Sequence, residues 1–85
     1  MYTLYIESAI MKNIYLLKDL STKSGLSVYT IKYYLTLGLL REIGRSPDTN
    51  FRYFDDSSIR RLLEIRRMRK HKLSIKEIAG KLGIN

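Results

Sequence analysis

The sequence predicts a mainly α domain of the winged helix-turn-helix class, with about four helices and a two-stranded β wing. Three observations predict it: two short amphipathic segments separated by a glycine turn, a strand-loop-strand pattern after them, and two further helical segments with N-cap signals. The 85 residues, 45% of them hydrophobic, are enough for one compact core. We divide the chain into an N-terminal leader, residues 1–13, and a folded domain, residues 14–85.

The leader carries little that predicts function. Tyr2, Leu4 and Ile6 occupy alternate positions, which fits either a short strand or a leader without a regular element. Met11 offers a second start, and the sequence after it has the features of the domain itself. The leader lacks a basic segment followed by a long apolar one, so we do not expect a secretory signal.

The glycine turn lies between two helical segments, residues 16–24 and 28–37. Gly25 breaks the first segment because glycine accepts the positive φ that follows a helix end. Ser27 is a suitable N-cap for the second segment, and Gly38 ends it. The apolar positions expected to pack the two helices together are Leu20, Leu26, Ile31 and Tyr34. This arrangement is typical of a helix-turn-helix.

The wing is expected at residues 39–54. Residues 39–43 and 51–54 are rich in apolar and aromatic side chains, and the segment between them contains Gly, Pro, Asp and Asn, which favour a loop. The pattern predicts a strand, a polar loop and a return strand. We expect Phe51 and Phe54 to lie in the core.

Two further helices follow the wing. Asp55 or Asp56 is expected to cap the third helix, and Ser74 with Glu77 forms the capping box that opens the fourth. Gly83 is a suitable stop. The apolar positions of these two helices are Ile59, Leu62, Ile65, Leu73, Ile75, Ile78, Ala79 and Leu82.

The charge of the chain favours a polyanionic partner, usually nucleic acid. The net charge is +8, and seven of the 16 basic residues lie in residues 59–72 against a single acid, Glu64. A solvated helix face and simple solubility are the alternatives for such a run. Position in the fold must decide between them.

Several classes of function are excluded by composition. The chain has no cysteine, hence no disulfide framework, thiol nucleophile or cysteine zinc site, and His71 is its only histidine. No apolar run approaches the roughly 18 residues of a membrane span, and a cytoplasmic location is expected. Because no nucleophile–base pair or phosphate-binding glycine loop is visible, we expect neither an enzyme nor a cofactor or metal.

Three stretches of the sequence form a more specific combination: SVYTIKYYLTLGLL at 27–40, RYF at 52–54 with Asp56 after it, and LSIKEI at 73–78. Together they resemble the DNA-binding head of the MerR family. The resemblance covers about residues 14–82. Generic helix-turn-helix patterns are weak signals, whereas this longer combination, with wing and following helices in order, is specific.

The resemblance implies that the helix at about 27–37 enters the major groove of double-stranded DNA and that the wing at about 39–54 contacts the flanking backbone. Lys32 matches an arginine that usually touches phosphate, and Tyr33 matches a phosphate-contacting hydroxyl. Ser27, Tyr29 and Thr30 match exposed positions at the start of the recognition helix, and Arg52 and Tyr53 match the contact pair of the wing. The residues expected to bind DNA are therefore Ser27, Tyr29, Thr30, Lys32, Tyr33, Arg52 and Tyr53. For Tyr53, a place in the wing core is the alternative.

The basic run contributes two more candidate contacts. Arg60 and Arg61 are the cations of the third helix nearest the wing, and a solvated face is the alternative for the rest of the run. Lysine and arginine supply the counterion-release term of DNA affinity, and tyrosine and serine hydroxyls fix the register on phosphates. Tyr34, on the Ile31 face, is expected in the core.

The chain also departs from the family pattern. Lys32 replaces an arginine and cannot form a bidentate fork, and Leu35 replaces a glutamate. Residues 41–43 replace a proline-containing wing start, and His71-Lys72 replaces an apolar-glycine pair. These changes bear on phosphate geometry and packing, and leave the fold prediction in place.

Three functions are consistent with these patterns: a sequence-specific transcription regulator or its DNA-binding domain, an excisionase-like factor that bends DNA, and a protein-interaction module that retained the fold. Family regulators dimerise through a long helix after this domain, which the sequence does not continue into. We therefore expect a fragment, a chain that acts alone, or a homodimer formed through that missing helix or through a partner protein.

Overall fold

The computed structural model describes residues 13–84, and in this part of the chain four helices accompany one two-stranded antiparallel sheet. The elements in order are α1 (Leu17–Ser24), α2 (Val28–Thr36), β1 (Gly44–Arg45), β2 (Arg52–Tyr53), α3 (Asp56–Lys70) and α4 (Ile75–Lys81). This order confirms the predicted winged helix-turn-helix. The short strand considered for Tyr2 to Ile6 lies outside the described residues.

The turn between α1 and α2 has the predicted construction. Gly25 takes a left-handed φ of 77° and its N–H donates to the Ser21 carbonyl, which closes α1. The Ser21 hydroxyl donates to the Leu26 carbonyl at 2.6 Å, so the small side chain also fixes the turn. Ser27 caps α2 by accepting a 3.1 Å hydrogen bond from the Thr30 N–H. Short polar side chains thus set the relative position of the two helices.

One apolar core holds the helix-turn-helix against α3 and α4. Leu20 of α1, Ile31 of α2 and Leu62 of α3 have no solvent exposure, and each such buried side chain contributes roughly 1.5–3 kcal/mol to folding. Tyr34 is buried as predicted. The buried apolar residues are Leu20, Ile31, Tyr34, Leu39, Leu40, Phe54, Leu62, Ile65, Met68 and Ile78.

The first strand of the wing begins later in the sequence than the expected residues 39–43. Leu39 and Leu40 lie in the core, with Leu39 only 1% exposed, because Gly38 takes a φ of 78° and turns the chain inward from α2. The prediction of a strand over residues 39–43 is therefore wrong. Strand pairing starts at Gly44, in the segment that was predicted as loop.

The return strand is also shorter than predicted. β2 covers Arg52–Tyr53, and its register pairs Gly44 with Tyr53 and Arg45 with Arg52. Phe54 is fully buried as expected, whereas Phe51 is 59% exposed. The prediction that Phe51 lies in the core is wrong, because it precedes the first paired residue of β2 and lies beside the loop.

A contact that the sequence did not predict joins the start of the described chain to the end of the wing. Tyr15 and Phe54 exchange two backbone hydrogen bonds of 2.8 Å each, as an isolated antiparallel bridge. The Tyr15 hydroxyl donates to Oδ1 of Asp56 at 2.7 Å, and Nδ2 of Asn13 donates to Oδ2 of the same carboxylate at 3.3 Å. The Asp56 hydrogen bond raises the pKa of the Tyr15 hydroxyl above its usual value, since it favours the protonated phenol.

The last two helices begin at the predicted caps. The Asp55 carboxylate accepts from the Ser57 N–H at 2.9 Å at the start of α3. At α4 the Ser74 hydroxyl accepts from the Glu77 N–H at 3.1 Å, and Glu77 Oε1 accepts from the Ser74 N–H at 2.8 Å. Between the helices, Lys72 takes a left-handed φ of 67°. A non-glycine residue in this conformation is strained.

Candidate nucleic-acid interface

The exposed side of α2 begins with the capping serine. The Ser27 hydroxyl donates to the Thr30 hydroxyl at 2.9 Å while it accepts from the Thr30 N–H, so both side chains serve the cap. Tyr29, beside them, is 81% exposed, the highest value among the exposed large hydrophobic side chains of residues 13–84. Tyr29 can reach a ligand without any rearrangement of the fold.

Farther along α2 the two adjacent tyrosines separate. Tyr33 is 48% exposed, whereas Tyr34 is buried, with ring centroids 6.1 Å apart and planes tilted by 41°. Lys32 is exposed on the same turn. Lys32, Tyr33 and Tyr29 are therefore all accessible, as a DNA-contacting helix requires, and their contact with DNA stays a prediction.

A groove of about 670 Å³ runs between α2, the wing and the start of α1. It brings together three cations from three elements: Lys18 of α1, Lys32 of α2 and Arg52 of β2. The groove lining consists of Leu16, Leu17, Lys18, Lys32, Thr36, Asn50, Phe51 and Arg52. The structure thus joins Lys32 and Arg52, both expected contacts, and adds Lys18 and Phe51, which sequence reasoning missed.

Within the wing, one carboxylate engages two arginines. Glu42 binds Arg45 through Nε at 2.7 Å and Nη2 at 3.2 Å, and its Oε1 lies 3.2 Å from Nε of Arg52. The Arg45 hydrogen bond holds the pKa of the Glu42 carboxyl below its usual value. The same bond raises the pKa of Arg45. Sequence reasoning missed both Glu42 and Arg45, because alternating charges in a short segment have no pattern that separates an ion pair from solvated side chains.

Tyr53, an expected contact, packs inside the wing. Its hydroxyl would lie too close to a Cβ on Gly44 for an ordinary contact, so the ring needs the glycine on the opposite strand. This packing agrees with the wing-core alternative for the ring. The half-buried side chain retains some exposure, and contact between its hydroxyl and DNA stays a prediction.

Arg60 and Arg61, the two arginines of α3 that were expected to contact DNA, differ in their surroundings. Arg61 donates through Nη1 to the Leu39 carbonyl at 2.9 Å, a part-buried bond that ties α3 to the chain leaving α2. Arg60 is exposed. Neither lines the groove that contains Lys32 and Arg52. A packing role for Arg61 therefore stands beside its predicted DNA contact.

Residues 13–84 contain no group of three or more His, Cys, Asp or Glu side chains arranged to hold a metal ion. Within the same range, no helix combines the length and the apolar character that a membrane crossing needs.

Comparison with known sequences gives a family match and a relative. Residues 15–83 match the sequence model described as MerR HTH family regulatory protein. The HTH-type transcriptional regulator CueR of Bacillus subtilis (strain 168) is 34% identical over 68 residues, which cover 80% of this chain and 46% of that protein. The chain thus spans about half the length of the relative it matches.

Solved structures agree with this match. The structure of HiNmlR, a MerR family regulator lacking the sensor domain, bound to promoter DNA, superposes with a TM-score of 0.71 at 29% identity, covering 78% of this chain and 49% of that one. The transcription regulator PbrR691 from Ralstonia metallidurans CH34, solved with lead(II), gives a TM-score of 0.71 at 37% identity over 79% of this chain and 51% of that one.

The family match begins at Tyr15, which pairs with the end of the wing, and ends at Gly83, just beyond α4. It therefore includes the helix-turn-helix, the wing and both following helices, in the order that the structure shows. The chain belongs to the MerR family of helix-turn-helix regulatory proteins.

Proposed function

We propose that this chain is the DNA-binding domain of a transcription regulator, with α2 in the major groove of double-stranded DNA and the wing on the flanking backbone. The observation that carries the proposal is the groove in which Lys18, Lys32 and Arg52 meet. Three cations from three separate elements along one open groove suit a continuous polyanion, which offers phosphates at regular intervals. A single small anion would leave part of this set unused.

The exposed residues of α2 divide between two roles in this proposal. Tyr29, in the first turn, reads base edges with Thr30 and Ser27, since the N-terminal part of a recognition helix lies deepest in the groove. Lys32 and Tyr33, one turn farther, hold phosphates. Their accessibility on one helix supports this division.

The DNA-bound relative supports the choice of ligand. HiNmlR was solved with promoter DNA, and its structure covers 78% of this chain at a TM-score of 0.71. By this likeness we infer that promoter DNA is the target. A homodimer, formed through segments outside residues 13–84 or through a partner protein, would bind a palindrome with half-sites about one helical turn apart.

Binding, with no catalysis, is the activity we propose for the chain, and the cytoplasm is its proposed location. The family consists of regulatory proteins. The groove that supports the proposal is lined by cations, apolar side chains, a threonine and an asparagine, and none of its residues forms a nucleophile–base pair.

Salt-dependent binding tests the proposal. A random duplex of about 25 base pairs would be titrated with the chain by fluorescence anisotropy at several salt concentrations. We expect micromolar binding and a steep linear fall of log K with log [salt], the mark of counterion release. Absence of binding at low salt would overturn the proposal, and a pull-down for protein partners would then test the interaction-module alternative.

A further inference from the structure

Arg45 and Arg52 are directly opposite each other across the two strands of the wing. Like charges in this position destabilise a strand pair. The Glu42 carboxylate lies between the two guanidinium groups, with its two oxygens shared between them. It therefore neutralises a repulsion that the wing would otherwise contain.

The same carboxylate uses the donors that a phosphate would need. Arg45 presents Nε and Nη2 to Glu42 as a two-point pair, which is the edge that guanidinium also offers to phosphate. Arg52 faces Glu42 through Nε and also lines the groove proposed for DNA. A phosphate that takes the same edge of Arg45 must displace the carboxylate.

We propose that Glu42 is an internal competitor of DNA phosphate for Arg45 and Arg52, and that it sets how much charge the wing contributes to DNA affinity. The inference rests on the proposed function, because it assigns a role within DNA binding. In the free protein Glu42 holds the two arginines together, and in the complex phosphates replace it. The wing then engages DNA only where backbone phosphates reach both guanidinium groups, which weakens binding in any other register.

Exposure makes this exchange feasible. The side chains of Glu42, Arg45 and Arg52 are 31%, 41% and 36% exposed, so each can be reached from solvent without unfolding the wing. Exposed ion pairs are individually weak, and neighbouring phosphates can compete with them. The exchange therefore needs movement of these three side chains only.

The wing also provides a matched control. Asp48 is exposed in the loop between β1 and β2, and within residues 13–84 its carboxylate makes no ion pair with either arginine. Glu42→Gln and Asp48→Asn each remove one negative charge from the wing, and each keeps the shape of the side chain. A difference between them therefore reports the competition and not the net charge.

The experiment measures affinity for a random duplex of about 25 base pairs by anisotropy, for wild type, Glu42→Gln and Asp48→Asn. We expect Glu42→Gln to bind about threefold to tenfold more tightly, which lies within the range for loss of two exposed ion pairs. Asp48→Asn should change affinity less than about twofold, because solvent and salt screen the charge of an exposed carboxylate. In an Arg45→Ala, Arg52→Ala background the gain from Glu42→Gln should fall to that of Asp48→Asn.

Equal effects of Glu42→Gln and Asp48→Asn, or weaker binding by Glu42→Gln, would overturn the inference. Failure of the wild-type chain to bind at low salt would instead overturn the proposed function, so the two failures are distinct. A readout on the wild-type protein needs no variant to fold: the Nε–H resonance of Arg45 should shift on addition of duplex as Glu42 is displaced. An unchanged resonance at saturation would contradict the exchange.

Discussion

Lys32 on α2 and Arg52 on β2 line the same groove, although they belong to different elements and lie far apart in the sequence. Their proximity depends on the whole domain. The core holds α2 in place, whereas β2 is held by its pairing with β1 and by the bridge between Tyr15 and Phe54. A phosphate backbone that follows the groove would pass both cations. The predictions below test this geometry and the elements that produce it.

Tyr29→Ala is expected to change which sequences are bound. The side chain is 81% exposed and lies in the first turn of α2, the part of a recognition helix that reads base edges. Its loss should alter discrimination by about 1–3 kcal/mol at the base pairs it contacts. Selection from a random duplex library would measure the change. As a control, Tyr33→Phe removes a hydroxyl proposed to hold phosphate and should weaken binding to all sequences alike. An unchanged consensus sequence for Tyr29→Ala would contradict the proposal that Tyr29 reads base edges.

Lys72→Gly is expected to stabilise the fold by roughly 0.5–1 kcal/mol. Glycine adopts the left-handed conformation without the strain that lysine has there, and the greater backbone entropy of glycine in the unfolded chain offsets part of this gain. The backbone N–H of Lys72 bonds to the Arg69 carbonyl at 2.9 Å and is unaffected. Urea unfolding would measure the change. Asn50→Gly is the control: Asn50 has a φ of 63°, but asparagine tolerates it, so the gain should be smaller. Equal gains would argue against strain at Lys72.

Gly44→Ala is expected to destabilise the fold by about 1–3 kcal/mol, because the new methyl would overlap the Tyr53 hydroxyl in the paired strand. Thermal unfolding measures the cost, and Tyr53→Ser in the same chain should relieve most of it. Gly80→Ala is the matched control, since a Cβ added there in α4 would meet nothing within 4 Å beyond its chain neighbours and its own helix backbone. That change should stabilise the helix by roughly 0.5–1 kcal/mol. Destabilisation by both substitutions would contradict the packing account.

The capping box of α4 predicts a dependence of stability on pH. The Ser74 backbone N–H holds the pKa of the Glu77 carboxyl below its usual value of 4.5. A lowered folded pKa means that the stabilisation is complete above the unfolded value and is lost as pH falls through the folded one. Glu77→Ala should therefore destabilise the protein near pH 7, and the difference from wild type should shrink below about pH 4.5.

Thermal unfolding across this pH range measures the effect. A difference between Glu77→Ala and wild type that stays constant down to pH 3 would show that the carboxylate charge contributes nothing at this cap.

Local features of the fold were predictable from the sequence because their causes are local. Gly25 and Ser27 define the turn, and Ser74 with Glu77 defines the last helix start, each through bonds to residues at most four positions away. Such signals depend on short side chains and glycine torsions.

Nonlocal features were not predictable in the same way. Leu39 and Leu40 have the composition of a strand, but in the structure they follow the turn at Gly38 and are buried in the core without strand pairing. A short apolar run fits both structures. The bridge between Tyr15 and Phe54 joins segments that carry no common signal in the sequence.

The candidate site shows the same division. Lys32 and Arg52 were expected from the resemblance to the family, whereas Lys18 enters the groove only because α1 packs beside α2. The role of Glu42 depends on the register that sets Arg45 opposite Arg52. A shift of one residue in that register would separate the two guanidinium groups, so the sequence alone could not indicate the ion pairs.

The salt dependence of duplex binding by Lys32→Ala and Arg52→Ala is the most direct test of the groove as the DNA-binding surface. We expect each variant to bind every sequence more weakly than wild type and to flatten the slope of log K against log [salt] by about one unit, since each loses one phosphate contact. Lys76→Ala, an exposed cation of α4 outside the groove, should leave affinity and slope close to wild type. If the Lys32 and Arg52 variants matched Lys76→Ala in both quantities, DNA would not lie in this groove.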